Sequence, residues 1–362
     1  MSRPAAPARR RPRRPRDGRV RPGIKDVAAR AGVSPATVSR VLGGTYPVAQ
    51  ATRAKVQRAM RELDYVVNAQ ARALKGATSK TVAFIVSDVT GPFFAHVADG
   101  VEQQATAEGR LCLVCTTHDE PERELAVIDL MREQRADAVI LVGGGQEDHA
   151  YRERMVRLAR ALDDAGSRLV LCGRPPLGDD VPATVVDYDN EGGAFAMTSH
   201  LLALGHRRIA FMGAQENLTT PTARVRGFRR AHHERGLEPD PELVIEGEFT
   251  RSFGYAGARD LLRRRPDVTA IFSATDVVAT GVLQAVRDAG LRCPDDVSVT
   301  GYDDIPFAAD FAPALTTVSI PHSELGRAAV RLALHRDSYS TGQYVKLGTH
   351  LAVRDSAGPL PH

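Results

Sequence analysis

The chain has 362 residues, 43% hydrophobic and 25% charged, which suits a globular protein with room for two or three cored domains. It has no run of about 18 apolar residues and no N-terminal apolar segment, so neither a membrane span nor a secretory signal is expected and a cytoplasmic location is. The net charge of +4 is uneven: residues 1–22 hold nine Arg and one Asp, residues 23–76 hold nine Lys or Arg and three acids, and the remainder carries −10, a basic head on an acidic body as expected of a nucleic-acid binder with a separate sensory part.

Residues 1–22 form a Pro/Arg-rich tail that cannot bury a core and is expected to be disordered. It either adds sequence-independent attraction to DNA phosphates or is an inert extension. A compact unit follows over 23–66. Ile24, Val27, Ala28 and Ala31 make one apolar helix face, Gly32 permits a tight turn, and Ser34-Pro35 suits an N-cap followed by the first helical position. Val38, Val41 and Leu42 give the second helix its buried side, and Val56, Ala59, Met60 and Leu63 repeat the pattern in a third. Two short helices around a glycine turn predict a helix-turn-helix whose second helix enters the major groove. On that helix Arg40 suits a guanine edge, Pro35 and Ala36 offer apolar contact, and Ser34, Thr37 and Ser39 suit phosphate oxygens.

From Thr81 the pattern changes. TVAFIVSDV, RLCLVCTT, ADAVILVGG and SRLVLCGR are apolar runs separated by helical stretches over 94–108, 121–134 and 149–166. PATVVDYD, RRIAFMG, LVIEGEF, VTAIFSAT and DVSVTGYDD then repeat the theme. Buried strands alternating with helices predict α/β architecture with parallel sheets, in two similar units. Cys112 and Cys115 form a C-x-x-C, but on a strand they point to opposite faces, so they read as structural. The run Gly143–Gly145 lacks the lysine and spacing of a phosphate loop and reads as a turn. His232-His233 reads as a helix surface, and His206 as part of a helix-to-strand turn. With no G-x-S-x-G and no H-E-x-x-H, no catalytic set, metal or cofactor is expected.

The stretch IKDVAARAGVSPATVSRVL, followed by YPV, TR and NAQARAL, resembles the LacI/GalR family of bacterial transcription regulators, and the likeness runs from about Ile24 to Asp355. The resemblance implies a homodimeric regulator, a repressor in the first instance, on a palindromic DNA operator. It adds Tyr46 to the DNA contacts. It also implies a hinge helix and linker over 67–79 in which Asn68, Leu74 and Lys75 meet DNA and Leu74 wedges into the minor groove. Gly43 stands where an asparagine is common, and Val67 replaces the usual proline before Asn68.

The sensory region implied by the family is two-lobed, like periplasmic sugar-binding proteins, with three chain crossings expected near Cys172–Arg174, Asp304–Phe307 and Ser319–His322. That assigns 80–173 and 305–321 to the first lobe, 174–304 and 322–356 to the second, and 357–362 to a tail. Ligands of such sheets bind beyond the C-terminal strand ends. The expected effector contacts just beyond the apolar runs are Arg174, Phe249, Thr275, Asp276 and Asp303, and the family resemblance implies Phe94 and Arg224 beside them, around a sugar or nucleoside-like molecule. Two other readings remain open on sequence grounds: a transport-type solute-binding protein and an enzyme with an appended DNA-binding head.

Overall fold

The structure is a computed structural model that describes residues 22–43, 46–66, 79–335 and 342–360. The chain divides into two compact units, Met1–Ala77 and Thr78–His362.

The first unit holds α1 (Ile24–Ala31), α2 (Pro35–Gly43) and α3 (Gln50–Glu62). Val27, Ala28, Val38, Val56 and Ala59 are its buried centre, with Ile24, Val41, Leu42, Met60 and Leu63 packed around it, as the helical spacing predicts. Gly32 ends α1 in the left-handed conformation (φ 66°), donating to the carbonyls of Ala28 and Ala29. Ser34 Oγ accepts from Thr37 N (3.1 Å), the expected cap of α2. The tail before residue 22 and the hinge residues Asn68, Leu74 and Lys75 lie outside the described residues.

The second unit contains two six-stranded sheets. In the first, β1 (Thr81–Val86), β2 (Leu111–Thr116), β3 (Ala138–Val142), β4 (Arg168–Cys172), β5 (Ala183–Tyr188) and β11 (Gln343–Leu347) lie in the order β11-β5-β4-β3-β1-β2, all parallel. In the second, β6 (Ile209–Ala214), β7 (Val244–Glu246), β8 (Ala270–Ser273), β9 (Ser298–Asp303), β10 (Thr316–Ser319) and β12 (His350–Ala352) lie in the order β12-β10-β9-β8-β6-β7, with only β12 antiparallel. The central strands are buried along their length because helices cover both faces. These helices are α4 (Pro92–Ala107), α5 (Pro121–Glu133), α6 (His149–Asp164), α7 (Asn190–Ala203), α8 (Thr219–His233), α9 (Arg251–Arg264), α10 (Asp276–Asp288) and α11 (His322–Leu334). No described helix is long and apolar enough to cross a membrane.

The lobes divide the chain differently from expectation. Only the crossing near 319–322 falls where expected: β10 belongs to the second sheet, and α11 packs on α4 of the first lobe. The chain does not cross at 172–174. A helix-free connection leads from β4 into β5 of the same sheet, and the crossing follows at 188–190. Nor does it cross at 304–307, where a single 3-10 turn, Pro306–Asp310, returns the chain to pair β10 with β9. The third crossing lies between β11 and β12, at 347–350. Connections without an α-helix within one sheet resemble crossings in the sequence.

His232 is a second correction. It is buried, not on the helix surface, with Nδ1 2.9 Å from Phe228 O and its ring on Phe228. His206 is structural as expected, held between Thr269 Oγ1 and the Gly358 carbonyl at 3.0 Å each. Cys112 and Cys115 are free thiols on β2, and no described residues form a cluster that could hold a metal ion.

Helix pairs within each lobe meet backbone to backbone. A Cβ at Gly281 would lie 2.1 Å from the Arg251 carbonyl oxygen, and one at Gly326 2.3 Å from that of Val97. Gly281→Val should therefore force α9 and α10 apart and cost about 3 kcal/mol in urea denaturation. An unchanged midpoint would show that the contact is not close in solution.

Candidate functional site

The first unit presents one chemically distinctive surface. Pro35, Ala36 and Arg40 are exposed on α2, whose opposite side carries Val38 into the core. Ser34 and Thr37 are joined hydroxyl to hydroxyl at 2.9 Å where α2 begins, and Ser39 is half-buried on the same helix. Tyr46 is 65% exposed beyond its C-terminal end. Cap and core thus fix the helix, while its exposed residues are a guanidinium and two small apolar groups, the chemistry that reads base edges. Ser34 also has a structural task as cap, beyond the phosphate contact expected of it.

In the second unit a buried polar cluster between the sheets is organised on Arg224 of α8. Arg224 is fully buried, yet all its partners are polar or aromatic. Nε donates to Asn190 Oδ1 (2.9 Å), one terminal nitrogen donates to the Ala274 carbonyl, and the other reaches Asp303 Oδ1 (3.2 Å) and Tyr188 Oη (3.5 Å). Its guanidinium carbon sits 3.6 Å over the centre of the Tyr302 ring and 6.0 Å from that of Phe249. The partners arrive from the end of β5, the start of α7, and the ends of β8 and β9, so the cluster stands where strand ends of both sheets converge.

Burial raises the pKa of Asp303 to about 6, and the adjacent Arg224 charge opposes that shift without cancelling it. Asp303 and Asp304 also hold positive φ angles of 114° and 56°, a conformation unusual for side-chain-bearing residues and typical of functional sites. Asp304 is anchored by Arg354 at 2.7 Å.

An aromatic wall adjoins the cluster. Phe94 packs edge-on against Phe93 (5.2 Å between centres), and Phe93 lies 6.0 Å from Tyr188 and 5.4 Å from His322. Phe94, Arg224, Phe249 and Asp303 are thus brought to one region, through Phe93 and Tyr188.

Three expected residues are committed elsewhere. Arg174 makes a buried two-pronged pair with Glu124, with donor–acceptor distances of 3.1 and 2.7 Å. It also donates to Tyr151 Oη (2.8 Å) and the Gly143 carbonyl (2.8 Å), which leaves it little capacity for a ligand. Asp276 is wholly buried, accepting from Ile305 N (2.8 Å) and Thr317 Oγ1 (2.5 Å), and it braces the turn after β9. Thr275 caps α10 through Val278 N (3.2 Å). Sequence reasoning missed Tyr188, Asn190, Tyr302, Phe93 and His322. The DYDN run that closes β5 and opens α7 was the available signal, because it too stands at the C-terminal end of a strand.

The raised Asp303 pKa has a defined sign. An acid whose folded pKa is above its unfolded value of 3.8 contributes stability that is present below that value and lost as pH rises through about 6. Relative to Asp303→Asn, the wild-type chain should gain about 1 kcal/mol of unfolding free energy between pH 7.5 and 5. Parallel pH profiles for the two would contradict the buried carboxyl.

Comparison with known proteins assigns a family to both units. Residues 23–68 match the model of bacterial regulatory proteins of the lacI family, and 198–357 match a periplasmic binding protein-like domain. The HTH-type transcriptional regulator CelR of Thermobifida fusca is 37% identical over 345 residues, 93% of this chain and 99% of CelR. The HTH-type transcriptional repressor PurR of Aliivibrio fischeri (strain MJ11) is 35% identical over 321 residues, 86% of this chain and 91% of PurR. The solved structure of a CelR–cellobiose complex matches with a TM-score of 0.68 and 35% identity, covering 93% of this chain and 100% of that one. With a helix-turn-helix head, a two-sheet sensory region and full-length relatives of this kind, the chain belongs to the LacI family of bacterial regulatory proteins and is a DNA-binding transcriptional regulator, not an enzyme.

Proposed function

We propose that the chain is a repressor that binds a two-fold-symmetric operator in the cytoplasm as a homodimer, and that a carbohydrate in the interlobe cleft switches it. The observation that carries the effector reading is the buried Arg224–Asp303 pair beside an aromatic wall. A charged pair offers both a donor and an acceptor to sugar hydroxyls, while Phe94 and Phe249 offer ring faces. The CelR complex holds cellobiose, which makes cellobiose the first carbohydrate to test here.

Dimerisation rests on two features. One recognition helix reads one half-site, so an inverted repeat calls for two copies. The β2 edge of the first sheet also leaves Leu111 and Val114 more than half exposed, an apolar sheet edge of the kind that invites pairing. The switch couples effector binding to operator binding, typically by about 1–3 kcal/mol, and the coupling must be reciprocal. Arg224, Asp303, Phe94 and Phe249 form the proposed effector set, with Tyr188 and Asn190 holding Arg224 in place. Arg40, Pro35 and Ala36 are proposed to read bases, with Ser34, Thr37, Ser39 and Tyr46 on the backbone.

Arg40→Ala should weaken operator binding by about 1–3 kcal/mol and relax specificity at one base pair of each half-site. A uniform loss across all sequences would reassign Arg40 to phosphate contact. Arg224→Met should remove heat of cellobiose binding in calorimetry while leaving sugar-free operator affinity unchanged. Cellobiose binding at full affinity by this variant would remove Arg224 from the effector site.

A further inference from the structure

The glycine run after β3 does more than turn the chain. The segment 143–147 of the first lobe meets Asn217–Thr220 of the second, where the chain from β6 enters α8. Gly145 N donates to Thr219 Oγ1 (3.0 Å), Thr219 N to the Gly145 carbonyl (3.0 Å), and Glu147 N to the Asn217 carbonyl (2.7 Å). Between the two main-chain bonds, Gln146 and Leu218 face each other as an antiparallel bridge. Small residues permit the approach. A Cβ on Gly143 would stand 3.2 Å from the Phe94 ring, and one on Gly144 3.2 Å from Thr220 Oγ1. Gly143 also has a φ of +90°, which disfavours other residues. Arg174 supports the loop from beneath: it bonds the Gly143 carbonyl and is itself fixed by Glu124 and Tyr151.

The position of this link gives it a role. The three covalent crossings leave from or arrive at β5, β11, β10 and β12, which lie together at one side of the two sheets. β3 and β6 lie further in, so the link joins the lobes away from the crossings. It ends on Thr219, the first residue of the helix that carries Arg224. Gln146, Glu147 and Asn217 are exposed, so water competes for these bonds and the link can part without unpacking either core.

We propose that 143–147 and 217–220 form a releasable clasp that gates the cleft, opening to admit effector and closing over it. The role in effector traffic rests on the reading that the cleft binds a carbohydrate. The opening and closing do not.

The test joins the clasp covalently. In a non-hydrogen-bonded antiparallel pair the Cα atoms are about 4.5 Å apart, which is within disulfide range. Gln146→Cys with Leu218→Cys should therefore crosslink on mild oxidation, with identically oxidised wild-type protein as control for the native thiols. Without any ligand, amide hydrogen exchange in peptides covering 246–253 and 272–276 should slow by about tenfold or more on oxidation and recover on reduction. Thr219→Val, which keeps the shape but loses the acceptor, should speed the same exchange above wild type. Equal exchange in oxidised and reduced protein, or failure of the pair to crosslink, would overturn the clasp. In a second arm, reduced protein should bind cellobiose and oxidised protein should take it up far more slowly. If the reduced protein ignores cellobiose, the cellobiose reading falls while the exchange comparison still decides the clasp.

Discussion

A guanidinium held away from water is the constraint around which the sensory region is built. Arg224 is costly to bury, and an unpaired buried charge would destabilise the fold by several kcal/mol. It donates to Asn190, the Ala274 carbonyl, Tyr188 and Asp303, with Tyr302 beneath its face. Those groups come from both sheets, so satisfying one side chain fixes the ends of β5, β8 and β9 relative to α8. Tyr302 extends the brace, donating towards the carbonyls of Asp189 (3.1 Å) and Asn190 (3.3 Å) at the first crossing.

The same arrangement bears on the proposed effector site. Asp303 sits between two opposing influences, burial favouring its neutral form and Arg224 its charged form. The positive φ angles at Asp303 and Asp304 sit at the same strand end, and the Arg354–Asp304 pair holds the turn from the far side. In the other unit, a small apolar core and a serine cap hold the exposed face of α2 rigid, which is what sequence reading by a few side chains requires.

Much of this was legible in the chain. Periodicity located α1 to α3 and the buried strands, because a helix face and a doubly covered strand leave unmistakable apolar spacing. The rule that ligands gather beyond strand ends singles out Phe249 and Asp303, and the family resemblance Arg224, three residues that the structure draws into one cluster. The rule identifies which end of a strand matters, but not where each side chain points. Arg174 and Asp276 follow strands as the others do, yet they turn into internal pairs whose partners, Glu124 and Thr317, lie 50 and 41 residues away. Tyr188 and Asn190 were hidden for a different reason. The first crossing was placed before β5, so their strand was assigned to the wrong lobe. His232 shows the same limit in miniature, since its helix packs on two sides.

The account turns on whether the basic head reads a defined sequence. The most direct measurement is selection of bound duplexes from a random library by the full chain at near-physiological salt. The account predicts enrichment of an inverted repeat, one half-site for each copy of α2. Recovery of duplexes with no shared sequence, held only by salt-sensitive attraction, would contradict it.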